Sequence, residues 1–244
     1  MTERRPYQTL EVSRGAIDRA GRLLAEHLAE TPAIVDAEVL DAMDILADYR
    51  DAHRVALLST VGVLRDAIGD DVDAVATAYR LKRSRRIVEK LARFRTMSLT
   101  AMQDIAGCRA IIVDHADVRC LRDRLVAAPG LTVLREDDYN EQPRRSGYRA
   151  HHLIARMAGT PVEIQLRTTW QQAWTDRVER LDTDYDVGLK HERGPGVVRD
   201  YLALLAYAET MRHLGDEVSP EVNAELTALE SASLAVLRTM KAHE

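Results

Sequence analysis

Between residues 108 and 168 the spacing of apolar residues changes from the three-and-four step of a helix to short β-branched runs. The runs CRAIIVD, LTVLREDDY, HHLIARM and PVEIQLRT are bounded by Gly, Pro or Asp, which is how strands appear in a sequence. They suffice for a minimal sheet, while both ends of the chain keep helical spacing. Residues 12–28, and then Pro32 through Val39, Met43, Leu46, Tyr49, Leu57, Val61, Leu64 and Ile68, predict two amphipathic helices ending near Gly69. Residues 73–94 predict a turn and an arginine-rich helix whose buried side is Ile87, Val88 and Leu91. Residues 116–126 predict a helix between the first two strands, closed by Pro129 and Gly130. After Thr168 a helix runs through Trp170, Trp174, Val178 and Leu181. A Gly/Pro break at 194–196 then leads into two more, over 197–214 and 220–240.

The expected fold is therefore α+β, a mixed sheet of about four to five strands flanked by helices. Three parts are expected: an amino-terminal helical extension over 1–70, a core over 71–190, and carboxy-terminal helices over 191–244 that pack on the core or serve a partner.

No apolar run approaches the roughly 20 residues that cross a bilayer, and the opening MTERRPYQTLEVSRG lacks the apolar stretch of a secretion signal. A cytoplasmic protein is expected. Cys108 and Cys120 lack CxxC spacing, so they read as small buried apolar residues and not as a zinc site. The net charge of −5 is unevenly distributed, and a binding site depends on local potential. Arg80, Lys82, Arg83, Arg85, Arg86 and Lys90 form one basic run, and Arg144, Arg145 and Arg149 form another.

Acidic residues lie where a core strand does not ordinarily place them. Asp104 opens DIAGCRAII. Period-2 alternation in PVEIQLRT puts Glu163, Gln165 and Arg167 on one face, with Val162, Ile164 and Leu166 on the other. Alone, that pattern also describes a strand with its polar side in water. Phosphoryl or pyrophosphoryl transfer, however, needs carboxylates for a hard cation, cationic side chains for phosphates, and a group to orient or deprotonate a hydroxyl; this chain has all three. It has no GxxxxGK[ST] loop, so side chains must make the phosphate contacts. Tyr148, in a polar loop, reads as an exposed stacking platform for a base, or else as a tyrosine closing the loop over the sheet. His151 and His152 point to opposite faces of their strand, so at most one of them joins the site.

YRLKRSRRIVEKL, DIAGCRAI, SGYRAHH and VEIQLRTTWQQAW occur in the order and approximate spacing of the RelA/SpoT synthetase domain, which the chain resembles over about residues 79–181. The helices on either side resemble the flanks of small alarmone synthetases. The resemblance implies a synthetase without its own hydrolase, using Mg2+. It also implies roles. Arg80 and Arg109 would sandwich the adenine of ATP, while Lys82 and Lys90, with Arg95 as a further candidate, would hold its phosphates. Asp104 would bind the metal, and Glu163 would bind or face it and activate the acceptor 3′-hydroxyl. Tyr148 would stack on the acceptor base, and His152, Gln165 and Arg167 would line the acceptor's ribose and phosphates.

Arg86 stands in place of the family's usual serine, Arg144 in place of the lysine of its PKxNGY loop, and Val178 and Glu179 in place of its WxxxEH pair. The expected activity is transfer of a diphosphate from ATP to GDP or GTP, giving (p)ppGpp. The basic loop and these departures also fit a toxin of the same family, paired with an antitoxin, that makes adenine alarmones or modifies the 3′ end of tRNA. A nucleotide-binding module without turnover is a third reading. The carboxy-terminal helices would be an oligomer interface in an alarmone synthetase or an antitoxin-binding surface in a toxin.

Overall fold

The computed structural model describes residues 12–30, 36–189 and 193–241. Its fold is α+β, built on one five-stranded mixed sheet. The elements run α1 (Arg14–Glu30), α2 (Ala37–Asp51), α3 (Arg54–Ile68), β1 (Ala74–Leu81), α4 (Ser84–Arg93), β2 (Ala106–Ile112), α5 (His115–Ala127), β3 (Leu131–Asp138), β4 (His151–Met157), β5 (Thr160–Thr168), α6 (Thr169–Tyr185), α7 (Gly196–Leu214) and α8 (Pro220–Lys241). The strand order is β1-β2-β5-β4-β3. β4 and β5 are joined through Ala158 and Gly159, both at positive φ, as a tight type I′ hairpin requires.

Two predicted elements differ from the structure, each for a physical reason. The single helix expected up to Ile68 is two helices. The chain turns at Ala52 and His53, where the His53 amide bonds the Arg50 carbonyl and the His53 ring bonds the Tyr49 carbonyl at 2.8 Å. Apolar spacing continues across this turn, so periodicity alone merges the two. The predicted start at Pro32 lies outside the described residues. The arginine-rich helix begins only at Ser84, and the residues before it form β1. As an edge strand, β1 leaves Val75 and Tyr79 more than half exposed, so it carries no buried run that would identify it as a strand.

The chain divides into two compact units, the first made of residues 1–110, 119–136 and 152–165, the second of 111–118, 137–151 and 166–244. In the first, α1, α2 and α4 bury Ile17, Leu24, Leu46, Tyr49, Ile87 and Leu91 against Leu99, Met102 and Ile105. Gly21 allows the closest approach, since a Cβ there would lie 2.8 Å from Leu99 Cβ. The second unit packs Trp174 and Val178 of α6 against Val198, Tyr201, Leu202 and Ala206 of α7 and Leu237 of α8. The Trp174 indole N–H donates to the Leu202 carbonyl at 2.9 Å, so the largest ring in that core leaves no buried donor unsatisfied. None of the described helices is long and apolar enough to cross a membrane.

Candidate active site

In the first unit the basic run separates into two sets. Arg85 and Arg86 both turn onto Glu89 one helical turn away, each at 2.9 Å, and form an exposed ion-paired face of α4. Lys82, just beyond β1, and Lys90, in the last turn of α4, converge on one carboxylate oxygen, Asp104 Oδ2, at 2.6 and 2.8 Å. Lys82 is fixed by its backbone: its amide donates to the Ile105 carbonyl at 2.7 Å, and its carbonyl accepts from Arg50 Nε at 2.8 Å. Arg50, at the end of α2, is a supporting residue that sequence reasoning missed. It is one of many arginines on helical faces, and nothing local marks it.

Burial pushes the Asp104 carboxyl up, but the two ammonium groups outweigh it, so the group lies below the usual carboxylate range. Its other oxygen, Oδ1, is buried and has no hydrogen-bond partner among the described residues. Lacking a partner, an ionised oxygen out of water is a costly arrangement unless a cation or donor completes it.

Glu163 lies on β5, where half-buried Glu163 and Gln165 alternate with buried Val162, Ile164 and Leu166, as the sequence pattern requires. Both its oxygens are held: Oε1 lies 3.2 Å from His152 Nδ1, and Oε2 accepts from Gln165 Nε2 at 2.8 Å. Burial raises the Glu163 carboxyl. His152, by hydrogen bond and charge, and Gln165 lower it by more, while the Asp104 charge opposes them, and the net direction is downward. Beside Glu163 the strand β2 carries Gly107, where a Cβ would lie 3.9 Å from Glu163 Oε2. Burial, with the charge of Glu163 adding to it, pushes the Cys108 thiol up to about 12. Cys108 is thus an inert buried residue; Cys120 is half-buried.

The remaining residues expected on the ATP side lie on separate elements. Arg109, on β2, is half-buried, and its Nε has no partner among the described residues. Arg80 is exposed at the end of β1. Arg95 is exposed beyond α4 and lines a cleft of about 280 Å³ with Asp18, Arg22 and Met97, which Lys82, Lys90 and Asp104 do not line.

In the second unit the loop from Tyr139 to Ala150 is closed at its base by the Tyr139 amide on the Ala150 carbonyl, at 2.9 Å. Gly147 lies at φ +87, and a Cβ there would fall 2.7 Å from Ala206 Cβ, so only glycine lets the loop lie on α7. Tyr148 follows, half-buried and not the exposed platform expected. Its ring meets Tyr139 edge-on at 5.6 Å and Trp174 at 6.1 Å, and its hydroxyl accepts from Arg167 Nη2 at 2.9 Å. The Arg144 guanidinium stands 4.7 Å from the Tyr139 ring centroid and 5.6 Å from that of Tyr148. Arg145 is exposed, whereas Arg149 turns back to the Asn140 carbonyl at 3.2 Å. The basic loop is therefore not one uniform patch. His151 and His152 separate as alternation requires, His151 meeting Asp138 at 3.3 Å and His152 meeting Glu163.

Sequence reasoning also missed the two glutamines that open α6. Thr168 and Gln171 form a capping box, and Gln171 Nε2 further donates to Asn140 Oδ1 at 2.6 Å, fixing the loop to the start of the helix. The spacing T-x-x-Q carries that signal and is legible in sequence. Gln172 accepts from Arg167 Nη1 at 3.1 Å, which explains why Arg167 is buried where β5 alternation would leave it half-exposed. Val178 belongs to the apolar core, and Glu179, the next residue, is exposed.

Residues 79–186 match the sequence model of the region found in RelA / SpoT proteins. The GTP pyrophosphokinase YjbM of Bacillus subtilis (strain 168) is 30% identical over 164 residues, which span 63% of this chain and 74% of that relative. The chain belongs to the RelA/SpoT family. Among solved structures, small alarmone synthetase 2 from Bacillus subtilis superposes with a TM-score of 0.59 at 22% identity, over 67% of this chain and 92% of that one. Small alarmone synthetase 1 from Bacillus subtilis, bound to its product pppGpp, gives a TM-score of 0.57 at 25% identity, over 68% of this chain and 90% of that one.

Proposed function

We propose that this RelA/SpoT protein is a pyrophosphokinase that transfers the β,γ-diphosphate of ATP to the ribose 3′-hydroxyl of GDP or GTP, giving (p)ppGpp. The observation that carries this reading is the convergence of Lys82 and Lys90 on Asp104, with the Glu163 carboxylate held by His152 and Gln165 on β5. The relatedness to a GTP pyrophosphokinase and to an alarmone synthetase bound to pppGpp supplies the nucleotides.

In the proposed reaction the 3′-oxygen attacks the β-phosphorus of ATP. The bond between that phosphorus and the α,β-bridging oxygen breaks, and AMP departs. Lys82 and Lys90 leave Asp104 for the phosphates, as ammonium groups serve as movable point charges. Arg80 and Arg109 hold the adenine, and Arg95 is an outer phosphate contact. Glu163, fixed by His152 and Gln165, accepts the hydrogen bond of the 3′-hydroxyl and takes its proton as the new bond forms. Tyr148 stacks on the guanine, and Arg167, with Arg144, contacts the acceptor. The acceptor ribose lies against His152 and Gln165.

Asp104 and Glu163 suit Mg2+, because both offer hard oxygen donors and Asp104 Oδ1 is a buried acceptor without a partner among the described residues. When bound, the ion offsets phosphate charge and draws electrons from the diphosphate being transferred. A site of two carboxylates completed by phosphates and water is the usual way this cation is held.

The test is to incubate the protein and magnesium with ATP labelled on its γ-phosphate, offering GDP, GTP, ATP and deacylated tRNA separately. Label on a guanosine nucleotide is expected. Label on tRNA or an adenosine nucleotide alone would make the chain a toxin of the same family, in keeping with the exposed Arg145. No transfer to any acceptor would leave a binding module.

A further inference from the structure

Arg167, Gln172 and Asp176 form a polar chain in the second unit that ends at the Tyr148 hydroxyl. Arg167 Nη2 donates to Tyr148 Oη at 2.9 Å and Nη1 donates to Gln172 Oε1 at 3.1 Å; Gln172 Nε2 in turn donates to Asp176 Oδ1 at 2.6 Å. Arg167 and Gln172 are each only 6% exposed, whereas Asp176 reaches the surface. The geometry is reproducible from local sequence. Gln172 and Asp176 stand four residues apart on one face of α6, and the capping box at Thr168 fixes where that helix begins.

The chemistry of the middle residue sets the direction of the chain. A guanidinium has only donors and a carboxylate only acceptors, so the Gln172 amide satisfies both in one orientation, its oxygen toward Arg167 and its nitrogen toward Asp176. The Asp176 charge polarises that amide and makes its oxygen a better acceptor for the cation. The guanidinium plane is then fixed by both ends of its fork, and it holds the one polar handle of the Tyr148 ring.

We propose that Gln172 and Asp176 are positioning residues for the acceptor nucleotide. They orient Arg167, and through it the Tyr148 ring, without touching the nucleotide themselves. This deepens the reading of Tyr148 and Arg167 as acceptor contacts and rests on it.

The experiment measures equilibrium binding of GDP and, separately, of a non-hydrolysable ATP analogue by calorimetry, for the full chain and for Gln172→Leu, Asp176→Ala and Asp176→Asn. Gln172→Leu and Asp176→Ala are expected to weaken GDP binding about tenfold, the scale of one charge-assisted hydrogen bond, with the ATP analogue bound as before. Asp176→Asn keeps an oxygen for Gln172 Nε2 and is expected to restore GDP binding to within about threefold of the full chain. A general loss of folding would weaken both ligands and would not be rescued by asparagine, so equal losses would overturn the proposal. Unchanged GDP binding in Gln172→Leu and Asp176→Ala would overturn it too, while leaving the pyrophosphokinase reading intact if the unaltered chain transfers label to GDP. An unaltered chain that binds no GDP would overturn both.

Discussion

His53 closes the turn between α2 and α3 at zero exposure, and acid should act on it before most other groups. Its Nδ1 donates to the Tyr49 carbonyl at 2.8 Å, its ring stands edge-on to Tyr49 at 4.9 Å, and Nε2 is buried with no partner among the described residues. Protonating Nε2 would bury a positive charge with nothing to receive its hydrogen. Burial therefore pushes the imidazole from 6.5 down to about 4, with the Tyr49 bond offsetting only part of that. Because the folded value is depressed, the unfolded chain binds the proton more readily. The stability tied to neutral His53 is complete above pH 6.5 and is lost as pH falls toward 4. The shift corresponds to a loss of about 2 kcal/mol by pH 5 and about 3 kcal/mol by pH 4. Urea unfolding followed by far-ultraviolet circular dichroism, from pH 7.5 to 4 for the full chain and for His53→Gln, separates this from carboxylates that titrate in both. His53→Gln is expected to be less stable than the full chain at pH 7.5 and to close the gap by about 2 kcal/mol at pH 5. Parallel pH profiles would refute the claim that His53 is held neutral by burial.

Glu163→Gln is expected to lower diphosphate transfer by roughly 10²–10⁴-fold while an ATP analogue still binds, since it removes the hydroxyl's acceptor and proton sink but no adenine contact; activity above a tenth of normal would reject Glu163 as the base. Gly147→Ala should destabilise the second unit by about 1–3 kcal/mol, because the added Cβ meets Ala206 Cβ at 2.7 Å in a backbone at φ +87, and an unchanged melting temperature would show that the loop can move off α7. Arg145→Ala should leave GDP use within about twofold and reduce any transfer to tRNA at physiological salt. Arg144→Ala, which removes the cation from the Tyr139 and Tyr148 rings, should impair GDP use as well, and identical effects of the two variants would contradict their different placement.

What sequence revealed and what it hid follow from the range of the forces involved. The strand containing Glu163 was legible because alternation is a local property, and so was the separation of His151 from His152. The edge strand β1 was not, because an edge with exposed Val75 and Tyr79 has no buried face to read, and the basic residues after it imposed a helical pattern. The convergence of Lys82 and Lys90 was foreseeable only through family resemblance, since it joins residues on two sides of a turn to a carboxylate 14 residues beyond the second. Charge counting could not separate those lysines from Arg85 and Arg86. What separates them is Glu89, one turn along α4, which takes both arginines and leaves the lysines to Asp104. Tyr148 stands out in sequence as an aromatic in a polar loop, but its half-buried state depends on Gly147 lying on α7, a helix more than 45 residues further along the chain.

The ion pairs at Asp104 bear on how such a site can hold a triphosphate at all. In the absence of nucleotide both lysines are spent on Asp104, while Glu163 is held separately by His152 and Gln165. Both lysines use the same oxygen, Oδ2, and the second oxygen is left buried. On the proposed reading, a nucleotide that draws the ammonium groups onto its phosphates exposes a carboxylate that the protein no longer neutralises. Further positive charge must then arrive with the nucleotide, and a divalent cation would meet that need at the oxygen that lacks a partner among the described residues. Replacing Asp104 with asparagine would remove the need together with the ligand. Its expected signature is therefore ATP-analogue binding that no longer depends on magnesium concentration, with transfer lost, and a magnesium dependence equal to that of the unaltered chain would place the cation elsewhere.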